Sequence, residues 1–334
     1  MLAIVKIIPL FLFIFTFNCG KNQLINFSGE TMGTTYQITI INHSNNELDA
    51  IHLQEKIDSL FMHVNNLFST YTNNSELAQF NNKMSIVPVK ISTEFSELYE
   101  KAVSISLSSN GSFDFTVLPL VELWGFGSEF NNSKIPSKKK ITDIMHYTGI
   151  NKLKYADGYL SKLNKNVQID FSAIAKGWGV DQVALFLNDQ GFNDYMVEIG
   201  GEIRVSGLNN FNLGWSLGIS SPEDSETGLY TTITVSDLSV ATSGNYNNYF
   251  TLENTNYSHI INPKIGYPIS HDLVSATIVA EDCATADAIA TAVMVKGFQL
   301  GLEWINSLPD IECLLIKKND SGNYISGKSS GFNY

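Results

Sequence analysis

Polar and apolar positions alternate over residues 34–41 (TTYQITII), the period of a strand with one buried face. The period then lengthens. Ile57, Leu60, Phe61, Val64, Leu67 and Phe68 recur at helical spacing and draw a single apolar stripe. A second helix is expected over 94–107, and 131–140, with Pro136 and three consecutive lysines, reads as an exposed connector. Strand patterns dominate afterwards. A short apolar strand is expected at 167–171, followed by a helix over 173–187 that Ser172 would N-cap. Strands at 195–199 and 202–205 flank Gly200-Gly201, a tight-turn signal. Further strands are expected at 215–219, 231–235, 257–261, 274–280 and 311–317, and an Ala-rich helix at 284–296 that stops at Gly297. Helices and antiparallel-looking strands mix without a βαβ rhythm, so the fold class is α+β.

Composition narrows the function classes. The 334 residues carry 21 Lys+Arg against 33 Asp+Glu, a net charge of −12, which argues against wrapping a phosphate backbone. A hydrophobic content of 44% is enough for a sizeable core, while 16% charged residues leave the polar surface to Asn, Ser and Thr. A soluble enzyme or binding domain remains.

The N-terminus bears on the compartment. Residues 7–18 form an uncharged apolar run of signal-peptide length, too short for a comfortable membrane span. Cys19 stands where a bacterial lipoprotein signal places its lipidated cysteine, although Thr16 and Asn18 depart from the usual flanks. Lipoprotein, plain secretion and uncleaved anchor are the three readings, with the lipoprotein preferred. Residues 1–19 are then the signal, 20–27 a tether and 28–334 the folded domain. Cys283 and Cys313 fit no metal spacing; one disulfide or two buried thiols are both compatible with the sequence.

Three segments have the residue types for chemistry. In ADAIATA (286–292), Asp287 and Thr291 lie four apart on one helix face, a hard oxygen pair suited to Mg²⁺. The plain alternative is an Ala-rich core helix with one polar edge. In IDFSAIAKGWGVD (169–181), Asp170 precedes a helix start and Lys176 adds a point charge, a set suited to a phosphate or a heterocycle edge. GSFDFTVLPLVELWGFG (111–127) sets aromatics beside glycines, which sandwich a flat ring or build core. His259 is a candidate base near neutral pH.

Taken in this order, and together with GETMGTTY (29–36), FSTY (68–71), EIGGEIRV (198–205), VATSGNY (240–246) and HIINPKIG (259–266), these segments resemble the ApbE family of FAD:protein FMN transferases. The resemblance implies two α/β subdomains with antiparallel-rich sheets and FAD in the cleft between them. It also implies an envelope lipoprotein, facing the periplasm, that uses Mg²⁺ and FAD. Such an enzyme moves FMN through a phosphoester to a Thr or Ser hydroxyl of a membrane redox-complex subunit of the Nqr or Rnf type, and releases AMP. By that resemblance Met32, Tyr71, Phe113, Asp114, Asp170, Lys176 and Ile261 contact FAD. Asp287, Thr291 and the Ala173 carbonyl hold the metal, Asp287 counts with the catalytic residues, and His259 is the catalytic base. The chain departs from the family's pattern at Asn262, usually Asp, and Ile265, usually Thr. An Mg²⁺-dependent FAD pyrophosphatase and a non-catalytic FAD-binding lipoprotein are the alternatives.

Overall fold

The computed structural model describes residues 23–43, 49–127, 135–223, 228–246, 248–253 and 255–334. The expected signal segment and Cys19 lie outside them. Eight strands form one antiparallel sheet whose spatial order follows the chain: β1 (Gln23–Thr31), β2 (Thr34–Asn42), β3 (Tyr195–Ile199), β4 (Glu202–Ser206), β5 (Ser239–Gly244), β6 (Leu273–Ala280), β7 (Glu312–Lys318) and β8 (Tyr324–Lys328). Because side chains alternate between faces, each strand feeds two cores. Tyr36, Ile38, Val197, Ala241, Ile278 and Leu315 point to one face; Ile41, Val205, Val240, Val279, Leu314 and Ile316 point to the other.

Four helices fix the first face: α1 (Ala50–Phe68), α2 (Thr93–Ser108), α3 (Ala175–Asp189) and α4 (Cys283–Lys296). Ile57 and Phe61 of α1 meet Val180 and Val183 of α3 over β2 and β3, while the alanines of α4 lie over β5 and β6. The α4 N-terminus is clamped: Asp181 accepts the N–H groups of Cys283 (3.0 Å) and Ala284 (2.9 Å), and Arg204 donates to the same carboxylate at 2.6 Å. Its N-cap Asp282 accepts from Thr285 N–H and pairs with Lys101 of α2 at 3.0 Å. The opposite face is covered by the hairpin Trp215–Ser220 and Leu229–Val235 with Phe332. Cys283 and Cys313 are both free and buried, so no disulfide joins them.

The α+β class holds, with several local departures. β1 begins at Gln23, so residues 23–27 of the expected tether are strand. Of the connector expected at 131–140, residues 131–134 lie outside the described residues, and Lys138 onward is a helix, Lys138–Met145, capped by Ser137. Val167, Ile169 and Phe171 are buried, but 167–171 is not a strand, because at Ile169 the Asn81 side chain takes the place of a neighbouring strand. It donates to the Ile169 carbonyl and accepts the Ile169 N–H, both at 2.7 Å. Ser172 does not cap α3; its hydroxyl and N–H both turn back to Asp170 Oδ1, and the helix starts at Ala175. The strand expected at 257–261 is broken into Thr255–Ser258 and Ile261–Asn262.

Candidate active site

A cavity of about 440 Å³ opens where the β3–β4 turn, the C-terminal end of β5, the start of α3 and the middle of α4 converge. Gly200 and Gly201, at φ +57° and +100°, make that turn tight, a backbone that residues with a Cβ rarely adopt. Segments 70–71, 112–127 and 259–263 supply the facing wall.

Ten of the eleven residues singled out from the sequence line this one cavity: Tyr71, Phe113, Asp114, Asp170, Ala173, Lys176, His259, Ile261, Asp287 and Thr291. Met32 does not. It occupies the β1–β2 turn at φ +51° and packs towards Gly179 of α3. The aromatic residues divide by exposure. Tyr71 stands 76% exposed at the rim, free to cover a flat ring, whereas Phe113 and Phe115 are core and Trp124 is locked by its Nε1–H to the Gly266 carbonyl (2.9 Å).

The charged floor is buried. Lys176 forms an ion pair with Glu202, which is 3% exposed, and the Asp287 carboxylate shares their surroundings. Burial pushes the Asp287 carboxyl above its ordinary range, opposed by the Lys176 ammonium and by the Gly177 N–H at 3.1 Å. Glu202 is likewise pushed up by burial, with Asp287 repelling and Lys176 opposing. Lys176 is driven down by burial, but Glu202 and Asp287 outweigh this and keep it charged. One ammonium faces two carboxyls that burial and mutual repulsion both push up, so the cluster retains a proton that a cation would displace.

Thr291 sits one turn beyond Asp287, its hydroxyl 3.3 Å from Ser243 Oγ, and Ala173 lies on the same wall. Carboxylate, hydroxyl and carbonyl are hard oxygen donors, and a small divalent cation would offset the repulsion between the two crowded carboxyls. The donor set therefore fits Mg²⁺. Two further lining carboxylates are engaged locally: Asp170 accepts from Ser172, and Asp114 accepts the Thr116 N–H (2.8 Å) and hydroxyl (2.6 Å); burial raises both.

His259 faces the cavity with its tautomer fixed. The Asn248 carbonyl lies 2.8 Å from Nδ1 and also accepts the His259 backbone N–H at 3.1 Å. A carbonyl only accepts, so Nδ1 carries the proton and Nε2 keeps its lone pair. Burial pushes this imidazole below its ordinary range; the Asn248 bond opposes the shift and Lys176 adds to it. At Asn262, the amide Oδ1 accepts the Lys264 N–H at 3.0 Å while the backbone carbonyl takes that of Gly266 at 2.8 Å. The turn that follows His259 is thus ordered without a carboxylate.

Glu202 and Asn248 are site residues the sequence reading passed over. Glu202 carries a signal: it is a carboxylate directly after a Gly-Gly turn, at the first position of a strand. Asn248 carries none, since its role is played by a backbone carbonyl.

One close approach holds the floor together. A Cβ on Gly177 would lie 2.3 Å from the Cys283 carbonyl oxygen and 2.7 Å from Ala284 Cα, both backbone atoms of α4. Gly177→Ala must therefore separate α3 from α4, and should cost at least about 2 kcal/mol by the overpacking scale. Urea unfolding of the two proteins measures this; an unchanged midpoint would contradict the contact.

The sequence profile described as the ApbE family matches residues 32–315. The chain belongs to the ApbE family. It is 40% identical over 300 residues to the FAD:protein FMN transferase of Vibrio cholerae, covering 90% of this chain and 89% of that one. It is 35% identical over 321 residues to the FAD:protein FMN transferase of Haemophilus influenzae, covering 94% and 92%. The solved flavin transferase ApbE of Vibrio cholerae superposes with a TM-score of 0.85 at 39% identity, over 93% of this chain and 98% of that one. The apo flavinyl transferase ApbE of Pseudomonas stutzeri gives 0.86 at 28% identity, over 95% and 98%. The ApbE-family assignment and the cavity coincide: every wall residue from Thr70 to Val295 falls inside the matched span.

Proposed function

We propose that this chain transfers the FMN moiety of FAD to a Ser or Thr hydroxyl of a partner protein, with Mg²⁺ and with AMP as leaving group. The observation that carries the reading is the convergence of a hard-oxygen set (Asp287, Thr291, Ala173) with Lys176 and a neutral-tautomer His259 in one cavity. The transferase names of its relatives support it. In balance, the acceptor oxygen bonds to the FMN-side phosphorus, the bridging P–O bond breaks, and AMP leaves with the bridging oxygen. The hydroxyl proton goes to His259 Nε2.

Positioning and electrostatics are what such chemistry demands of the protein. Tyr71 covers the ring system, and Lys176, anchored by Glu202, places fixed positive charge on the phosphate side. Asp287, Thr291 and the Ala173 carbonyl hold the cation, which when bound neutralises pyrophosphate charge. The apolar run at 7–18 with Cys19 supports a lipid-anchored envelope protein facing the periplasm; the family resemblance implies an acceptor subunit of a Nqr- or Rnf-type membrane redox complex.

Purified protein with FAD, Mg²⁺ and an acceptor bearing a Ser/Thr-Gly-Ala-Ser/Thr-like segment tests the reading. The expected result is covalent flavin fluorescence on the acceptor in a denaturing gel, with one AMP per label. AMP without label would replace transfer by FAD hydrolysis; FAD binding with neither product would leave a binding protein.

A further inference from the structure

The end of the sheet opposite the cavity carries an apolar loop that the activity does not use. The register defines the two ends. Tyr36 pairs with Ile199 and Ile199 with Glu202 at the cavity end; Gln23 pairs with Asn42 and Tyr195 with Ser206 at the other. Asp194 ties this second end together. Its carbonyl accepts the Ile41 N–H at 2.8 Å, one carboxylate oxygen lies 2.6 Å from His43 Nε2, and the other accepts the Leu208 N–H at 2.6 Å.

The loop that begins there reads Leu208-Asn209-Asn210-Phe211-Asn212-Leu213, without a charge. Its three large apolar side chains point outward: Leu208 is 42% exposed, Phe211 74% and Leu213 64%. Leu24, near the start of β1, adds a fourth at 43%. This display is built. Asn209 Oδ1 accepts the N–H groups of Phe211 (2.9 Å) and Leu213 (3.2 Å), and its Nδ2 donates to the Gly214 carbonyl at 2.8 Å. A held loop that shows a phenylalanine and two leucines, with asparagines between them, matches an interfacial layer that takes apolar side chains beside polar amides.

The N-terminal segment says what covers it. Cys19 precedes Gln23 by four residues, so their Cα atoms are at most about 14 Å apart whatever path the chain takes. A lipid on Cys19 therefore brings a bilayer to this end of the sheet. We propose that the 208–213 loop dips into the interfacial layer of that bilayer and orients the domain on it; this rests on the lipid-anchor reading given under Proposed function. The cavity, at the other end of strands about 14 Å long, is then held clear of the headgroups. With no charge in the loop, the contact is apolar and insensitive to lipid charge and salt.

The test uses the full lipidated chain reconstituted in phosphatidylcholine vesicles, with a single environment-sensitive fluorophore on Phe211→Cys or, as control, on Leu229→Cys at the far end of the covering hairpin. Cys283 and Cys313 are buried and do not compete for label. The expected result is that doxyl-labelled lipid quenches the 211 probe by more than about twofold, as for a side chain within the interface, and leaves the 229 probe unchanged. Phe211→Ser/Leu213→Ser should abolish that orientation signal, read from a probe at Leu208→Cys in the loop itself, with AMP release in detergent unaltered. If the chain floats with vesicles but the 211 and 229 probes behave alike, the loop contact is wrong while the anchor stands. If the chain does not float, both fail. Shielding of the 211 probe by an added acceptor protein and not by lipid would make the loop a protein contact and overturn the proposal.

Discussion

Asp287→Asn should remove turnover while leaving a folded and slightly more stable protein. The amide keeps the volume and an oxygen for the Gly177 N–H, so the α3–α4 contact survives. What disappears is one of two carboxylates facing a single buried ammonium. A desolvated charge costs stability unless it is paired, and Lys176 is already paired with Glu202. The variant's melting temperature should therefore match or exceed that of the parent. Catalysis moves the other way. Stabilisation of developing phosphate charge is worth several kcal/mol, so AMP release should fall by about 10²–10⁴-fold. A second readout separates cation loss from other damage. With FAD present, Mg²⁺ should raise the parent's melting temperature, since a ligand at 100 times its Kd adds about 2.7 kcal/mol, and should leave the variant's unchanged. A folded variant that still turned over at the parental rate would remove Asp287 from the cation site.

How far the sequence shows this architecture depends on whether a residue's neighbours are local. β2 and α1 are legible because one face of each is apolar at the right period, and Asp287 with Thr291 because four residues make one helical turn. β1 escapes detection: of QLINFSGET only Ile25, Phe27 and Thr31 are buried, and its Asn and Ser imitate a linker. β5, SVATSG, is a strand because β4 and β6 flank it, not from its own composition. The segment 167–171 has strand composition and is no strand, since Ile169 bonds to a side chain 88 positions away and its neighbours find single carbonyls rather than a ladder. The same distinction runs through the site. Lys176 stands out at a helix start, whereas Glu202 gains its meaning when the fold carries it to Lys176. Asn248 contributes a carbonyl, which every residue possesses, so nothing in its identity marks it.

The pH dependence of the reaction should carry the signature of His259. Three observations set its state. The Asn248 carbonyl demands a proton on Nδ1, burial disfavours the imidazolium, and the Lys176 ammonium adds repulsion. The first leaves Nε2 as the acceptor; burial and the Lys176 repulsion lower the pKa from its ordinary 6.5, so the ring is neutral and competent as a base at pH 7. Rate should consequently rise with pH along an acid limb whose midpoint lies below 6.5, and be level at neutrality. Replacing the ring with His259→Gln retains an amide for the Asn248 carbonyl but no basic nitrogen. Label transfer should drop by about 10²–10⁴-fold, the range for a positioned general base, and the acid limb attributed to the ring should vanish. FAD affinity, measured by flavin fluorescence, should stay within a few-fold, which separates a lost proton acceptor from a collapsed cavity. An acid limb that persists in His259→Gln would assign the titration to another group. An undiminished rate would mean that the acceptor hydroxyl loses its proton elsewhere.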